Sequence, residues 1–460
     1  MKLNCSSKIC RLSATVYRHL YGLFAFVIVG VISAFGVENQ PASSNPSRSA
    51  VERFQDGKVG LSIHWGPSSL GGYEISWSRG KEIPVERYYQ FYRSFNPVKF
   101  DADVWCRFMK DAGFRYVVPT AKHHDGFGLW FSKVSDYDME NTPFHRDLMR
   151  ELSAACRRHG IHFGVYYSIL DWYHPDWPEN KHGGPGPLFA RKPDAPNLAR
   201  YLDYMRAQCG ELIRDYGAEL IQFDGGWDAC WTHELGSQLY RDLRTLSPKV
   251  LLSSRVGNPK VCPGDYEERE RHVGQGATNS VLGFAGHPWQ AWVTIDKTQW
   301  AYNPRPEKQL LTSEDIIRDL IATICDNGNY LINLGPRPDG TFDPREAAIV
   351  LEAGKWIRAH AEAIYGTRGG PFPRADWGGS THKGKRVFLF VSNPGPSELN
   401  LRMPGTRIKR ARALGGRVIP FKMDGDLLHL DLSAAPRNLI ATVIQLDLDR
   451  PVAALNDSPR

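Results

Sequence analysis

Between about residues 55 and 365, short apolar runs alternate with longer amphipathic ones, and this alternation restricts the fold more than any other feature. The strand-like runs are KVGLSIHW (58–65), FRYVVPTAKH (114–123), IHFGVYYS (161–168), AELIQFDG (218–225), KVLLSSRVG (249–257), QAWVTI (290–295) and GNYLINLG (328–335). Between them lie helical patterns such as DADVWCRFMKDAG, RDLMRELSAACRRHG, LARYLDYMRAQCGELIRDYG and SEDIIRDLIATICDNG. Several end at glycine, where helices commonly stop. Such alternation predicts parallel strands joined by helical crossovers. No G-x-G-x-x-G follows an early strand and no phosphate loop appears, which disfavours an open nucleotide-binding sheet. The expected fold class is α/β, an irregular (β/α)8-like TIM barrel. Beyond about residue 370 the runs RVFLFVSN, LNLRMPG, KRARALG, LLHLDLS and LIATVIQLDLD are short, alternating and punctuated by Pro and Gly. They predict a C-terminal β-sandwich. The expected division is a targeting segment at 1–36, a linker at 37–50, the barrel at 51–367, the sandwich at 368–450 and a tail at 451–460.

The N-terminus is expected to direct export. Lys2, Lys8, Arg11 and Arg18 lead into the apolar run Leu23 to Gly36, the pattern of a secretory signal, or of a membrane anchor if the segment is retained. These four precede the first acidic residue, Glu38, so the formal net charge of +7 falls to +3 without them. No Lys/Arg stripe or nucleic-acid motif is present, so nucleic acid is not an expected partner. Cys106, Cys156, Cys209, Cys230, Cys262 and Cys325 are dispersed, with no C-x-x-C pair, which argues against a zinc site. Oligomeric state and disulfide pairing do not follow from these features. Aromatics reach 12%, a mix suited to stacking rings on a ligand.

Polar and aromatic residues recur where the apolar strands end. His64-Trp65 ends the first, Lys122-His123-His124-Asp125 the second, Tyr166-Tyr167 the third, Asp224 the fourth and Arg255 the fifth. In a parallel barrel all these ends share one face, where loops build the active site. Asp224 is followed by two glycines, which permit a sharp turn and close approach; a helix-capping Asp is the competing reading. The segment DYEERERH offers Asp265, Glu267, Glu268 and Glu270, though charge runs of this kind usually lie on solvated surface. Adjacent residues on a regular strand point to opposite sides, so His123 and His124 suit hydrogen bonding to hydroxyls better than one shared metal ion. No metal or other cofactor is expected.

The segments GLSIHWG, AKHHDGFGLWFSKVSDYD, RDLMRELSAACRRHGIHFGVYYSILDWYHP, the FDGGW run and NGNYLINLGPRPDG together resemble family 29 of the glycoside hydrolases, the α-L-fucosidases. The likeness runs collinearly over roughly residues 50–370. It implies an irregular barrel followed by a β-sandwich, and release of terminal α-L-fucose by double displacement with retention. By the same resemblance Asp224 matches the nucleophile, and His64, His123, His124, Tyr166 and Arg255 match sugar-binding positions. Glu74 in GGYEISW and Trp227 join the expected substrate-binding set, with Phe127 and Trp130 as further walls. The acid/base glutamate of a D-Y/F-x-T-x-E run falls in register with Glu270, with Glu267 and Glu268 as neighbouring candidates. This chain departs from the family pattern at Glu268-Arg269, at Gln290 where relatives have Trp-Glu, and at Gln222 where an aromatic is common.

The chemistry needs one ionised carboxylate to attack the anomeric carbon and one carboxylic acid to protonate the leaving oxygen, about 5–5.5 Å apart. The expected partner is a fucosylated oligosaccharide or glycoconjugate, with a membrane involved only if the N-terminal segment is retained. The alternatives are a related glycosidase such as an α-L-galactosidase, a noncatalytic carbohydrate-binding descendant, and a metal-dependent hydrolase using the histidine pair.

Overall fold

A computed structural model describes residues 46–178, 196–257, 264–273, 287–433, 435 and 440–452. The expected targeting segment, most of the linker, Cys262 and residues 453–460 of the tail lie outside them. Eight strands form one parallel sheet: β1 Val59–Ile63, β2 Tyr116–Lys122, β3 His162–Ser168, β4 Leu220–Asp224, β5 Leu251–Leu252, β6 Glu267–Glu270, β7 Trp289–Thr294 and β8 Asn329–Leu334. They follow the order β5-β4-β3-β2-β1-β8-β7-β6. The two edges meet through a parallel bridge between Ser253 and Tyr266, where Asp265 N donates to Leu252 O at 2.7 Å. That contact closes the sheet into a barrel, and its slightness is what makes the barrel irregular. After β5 comes a single 3-10 turn, Ser254–Val256, which carries Arg255.

The crossover helices are Ala102–Asp111, Leu148–His159, Leu198–Arg214, His233–Leu246 and Ser313–Cys325, with Pro344–Ala359 following β8. Each starts at a side chain that accepts a free first-turn N–H: Asp101, Asp147, Asn197, Thr232, Thr312 and Asp343. Cys106, Cys156, Cys209 and Cys325 are buried where these elements pack. Inside the barrel, Tyr116, Val118, Tyr166, Leu220, Tyr266, Trp292 and Leu331 form a separate core. Its lower end is plugged by the helix Arg48–Gly57, whose Phe54 ring lies 4.8 Å from that of Tyr266.

Strand β6 corrects the reading of DYEERERH as solvated surface. Glu267, Glu268 and Arg269 are all buried. Alternation sends Glu267 and Arg269 to one side, where they pair at 3.0 Å and Arg269 lies over the Trp289 ring at 4.1 Å. Glu268 and Glu270 point the other way, towards Gln290 and Arg255. Polar side chains are tolerated here because each has a partner.

Beyond the barrel, eight antiparallel strands make two sheets. One has the order β13-β16-β11-β10-β9 (Ile408–Ala413, Ala441–Leu448, Arg386–Ser392, Gly378–Lys383, Arg368–Gly369), the other β12-β15-β14 (Glu398–Arg402, Leu427–Asp431, Phe421–Asp424). Val387, Leu389 and Val391 of β11 meet Leu399, Leu401, Leu428 and Leu430 between the sheets, which makes this module a sandwich. The alternate residues Phe388 and Phe390 join the core of the barrel and its helices.

Candidate active site

Strand β4, LIQFD, is buried throughout and delivers Asp224 at its last position. Gly225 has φ +90°, and a Cβ there would lie 2.6 Å from the Leu170 side chain. A Cβ on Gly226 would sit 2.3 Å from the carbonyl oxygen of Arg255. The two glycines therefore let the end of β4 turn sharply and pack directly on the Arg255 turn. The next helix is capped by Thr232, eliminating the capping role for Asp224.

Asp224 is held by two side chains and approached by a third. Tyr166 OH donates to Oδ2 at 2.9 Å and Arg255 Nη1 to Oδ1 at 2.8 Å, while His124 Nε2 stands 3.6 Å from Oδ2. Burial pushes this carboxyl up, but Arg255 and the Tyr166 hydroxyl hold it below the ordinary carboxylate range. It is therefore ionised at neutral pH.

The other end of the Arg255 guanidinium identifies the second carboxylate. Arg255 Nη2 donates to Glu270 Oε2 at 2.9 Å. The Glu270 side chain is 35% exposed, so a leaving group can reach it. Glu268 sits one layer deeper, and burial pushes its carboxyl up to about 8, against the pull of Arg255. Its Oε1 accepts from Gln290 Nε2 at 2.8 Å, and Gln290 is its register partner on β7. Two of the departures from the family pattern thus touch each other. Glu267 faces away, towards Arg269.

The histidines converge on the same space. His64 follows β1 and packs against Tyr166, Trp292 and Trp300 at 5.2, 5.5 and 5.2 Å between ring centroids. His123 stacks on Tyr166 at 5.2 Å, and the His123 and His124 rings are 4.2 Å apart. Both lie beyond the last residue of β2, so the opposite-face rule for a regular strand does not govern them. Burial lowers all three rings, His64 and His124 to about 4, and keeps them neutral. Among the described residues no three His, Cys, Asp or Glu are grouped as metal ligands would be.

Trp227 is half exposed and stacks on Trp77 at 6.3 Å, with an edge towards His124. Glu74 is half-buried, and desolvation pushes it up to about 7; its carboxylate accepts from the backbone N–H groups of Ile75, Trp300 and Ala301. It thereby braces the loop that carries Trp300 against His64. Phe127 and Trp130 do not wall the pocket: Phe127 packs on Tyr137, and Trp130 is fully buried and donates to Glu211. Their alternating apolar sequence reads equally as core, and core is where they are. The walls that sequence reasoning missed are Trp77, Trp292 and Trp300. Trp292 lies within the recognised run QAWVTI and was legible only as an apolar strand residue.

The molecule is therefore a barrel enzyme of the glycoside hydrolase kind, with paired carboxylates among neutral histidines and tryptophans. The alpha-L-fucosidase sequence profile matches residues 33–362. Tissue alpha-L-fucosidase of Macaca fascicularis is 30% identical over 413 residues, covering 83% of this chain and 82% of the relative. Alpha-L-fucosidase isoenzyme 1 from Paenibacillus thiaminolyticus superposes with a TM-score of 0.78 at 31% identity, over 87% of this chain and 99% of that one. A family 29 fucosidase from Bacteroides thetaiotaomicron, trapped as a covalent intermediate with 2-fluoro-fucosyl fluoride, gives 0.77 at 26% identity, over 89% and 99%. The chain belongs to the alpha-L-fucosidase family.

Proposed function

We propose that Asp224 is the nucleophile and Glu270 the acid/base of this α-L-fucosidase. The enzyme is a retaining exo-glycosidase that hydrolyses terminal α-L-fucose from fucosylated glycans by double displacement. Asp224 attacks the anomeric carbon while Glu270 protonates the departing oxygen; Glu270 then takes a proton from the water that cleaves the fucosyl ester. The observation that carries the assignment is the single guanidinium of Arg255 bonding both carboxylates. Arg255 occupies Oε2 of Glu270, leaving Oε1 to carry the transferable proton. His64, His123, His124, Tyr166 and Arg255 form the sugar-binding wall, with Trp227 at the rim and Glu74 behind the Trp300 loop. Glu270→Ala should lose about 10²–10⁴-fold on a poor leaving group and regain turnover with azide on an activated substrate. Rescue of Glu267→Ala or Glu268→Ala instead would move the acid/base off Glu270.

Export is proposed on the four basic residues and the apolar run Leu23 to Gly36. Mass analysis of the protein from fractionated cells tests it. A shortened chain outside the cytoplasm supports a cleaved signal, a full-length membrane fraction supports an anchor, and full-length cytoplasmic protein refutes both.

A further inference from the structure

The three pocket histidines are neutral, so each ring has one proton to place, and its neighbours decide where. His64 Nδ1 lies 2.7 Å from Asn333 Oδ1. The Asn333 amide cannot be turned over. Its Nδ2 donates to the Trp300 carbonyl at 2.7 Å and to Thr294 Oγ1 at 3.2 Å, and a reversed amide would set oxygen against that carbonyl. His64 Nδ1 must therefore carry the proton, which leaves Nε2 with a bare lone pair. His124 Nδ1 lies 2.5 Å from Ser168 Oγ, whose only proton goes to the Leu170 carbonyl at 2.7 Å. Ser168 can only accept, so His124 also holds its proton on Nδ1.

His123 is the reverse. Its Nδ1 lies 2.6 Å from Ser76 Oγ, which accepts from Asp125 N at 3.0 Å. Ser76 is fully buried, and among the described residues His123 Nδ1 is the acceptor for its hydroxyl proton. A buried hydroxyl left unpaired is costly, so Ser76 donates and His123 carries its own proton on Nε2. We propose that Asn333, Ser168 and Ser76 are positioning residues that lock this polarity, so that Nε2 of His64 and of His124 accepts from a sugar hydroxyl while Nε2 of His123 donates to one. The inference rests on these rings facing the sugar, as under the proposed function.

One consequence concerns Asp224. His124 Nε2 and Asp224 Oδ2 face each other at 3.6 Å as two acceptors with no proton between them. A substrate hydroxyl beside both supplies that proton, so the pocket selects a hydroxyl there over a fluorine or a hydrogen.

The test is long-range 1H–15N NMR of the whole protein labelled with 15N-histidine, with resonances assigned through single His→Gln variants. The expected result is protonated Nδ1 on His64 and His124 and protonated Nε2 on His123. The opposite tautomer at any of the three overturns the proposal. A kinetic arm separates positioning from mere structure. Ser168→Ala should mix the His124 tautomers and lower kcat/KM by roughly 2–10-fold, the equivalent of one hydrogen bond. Ser168→Thr, which keeps the hydroxyl, should restore both. A Ser168→Ala protein with one His124 tautomer and unchanged kcat/KM refutes the assignment. Failure of the proposed site would show differently, as turnover surviving in Asp224→Ala with the tautomers unaltered.

Discussion

The two ends of the same eight strands bury opposite chemistry. At the C-terminal ends Asp224, Arg255, Glu270, His64, His123 and His124 crowd together, with Asp224 gripped by Tyr166 and Arg255. At the N-terminal ends Phe54 of the plugging helix sits against Tyr116 and Tyr266, beside a cavity of about 40 Å³ lined by Ala50, Leu220 and Leu251 among others. The lower end closes the barrel from below, and the buried interior strengthens each electrostatic contact at the upper end. Charge at one end works because shape at the other closes the barrel.

Substitutions at the two ends should therefore separate chemistry from stability. The largest effect is expected at Asp224→Ala, which should lower kcat by roughly 10⁴-fold or more while thermal unfolding changes little. Turnover near wild type would remove the nucleophile assignment. At the opposite end, Phe54→Ala should cost about 3 kcal/mol of stability, read by denaturant unfolding. The folded fraction should keep kcat/KM within a few-fold; a collapse in turnover per folded molecule would break the division between the ends.

Glu268, between the two layers, sharpens the comparison. Burial raises its carboxyl from 4.5 to about 8, so it is protonated in the folded protein at neutral pH. Because the folded value is raised, the stability it contributes is complete below pH 4.5 and is lost as pH rises through 8. Glu268→Gln removes that loss. Its melting temperature relative to wild type should rise between those pH values and level off above them, with turnover changed by less than about 10-fold. A flat difference across that window would show that Glu268 is not the buried acid.

Much of this was legible because strand burial and strand ends leave different marks. Seven of the eight barrel strands are apolar runs, and the residues ending them name His64, His123, His124, Tyr166, Asp224 and Arg255. Strand β6 was hidden because its polar side chains are partnered in place, Glu267 with Arg269 and Glu268 with Gln290. No local periodicity reports that. The short strands β9 and β10 were missed for want of apolar residues, and β14, FKMD, because it is four residues long and largely exposed. Trp300 and Asn333 escaped notice because their meaning comes from His64, and Asn333 is 269 residues from it in the chain. Such pairs are set by barrel closure rather than by spacing.

The most direct measurement of the central claim is the stereochemistry of the azide products from the two carboxylate variants on an activated α-L-fucoside. In a retaining enzyme, azide entering in place of the nucleophile attacks from the opposite face, whereas azide replacing the catalysed water attacks the covalent intermediate. Asp224→Ala should therefore yield β-L-fucosyl azide and Glu270→Ala should yield α-L-fucosyl azide, distinguished by the anomeric proton in NMR. The reverse pattern, or α-azide from both variants, would contradict the pairing of Asp224 as nucleophile with Glu270 as acid/base.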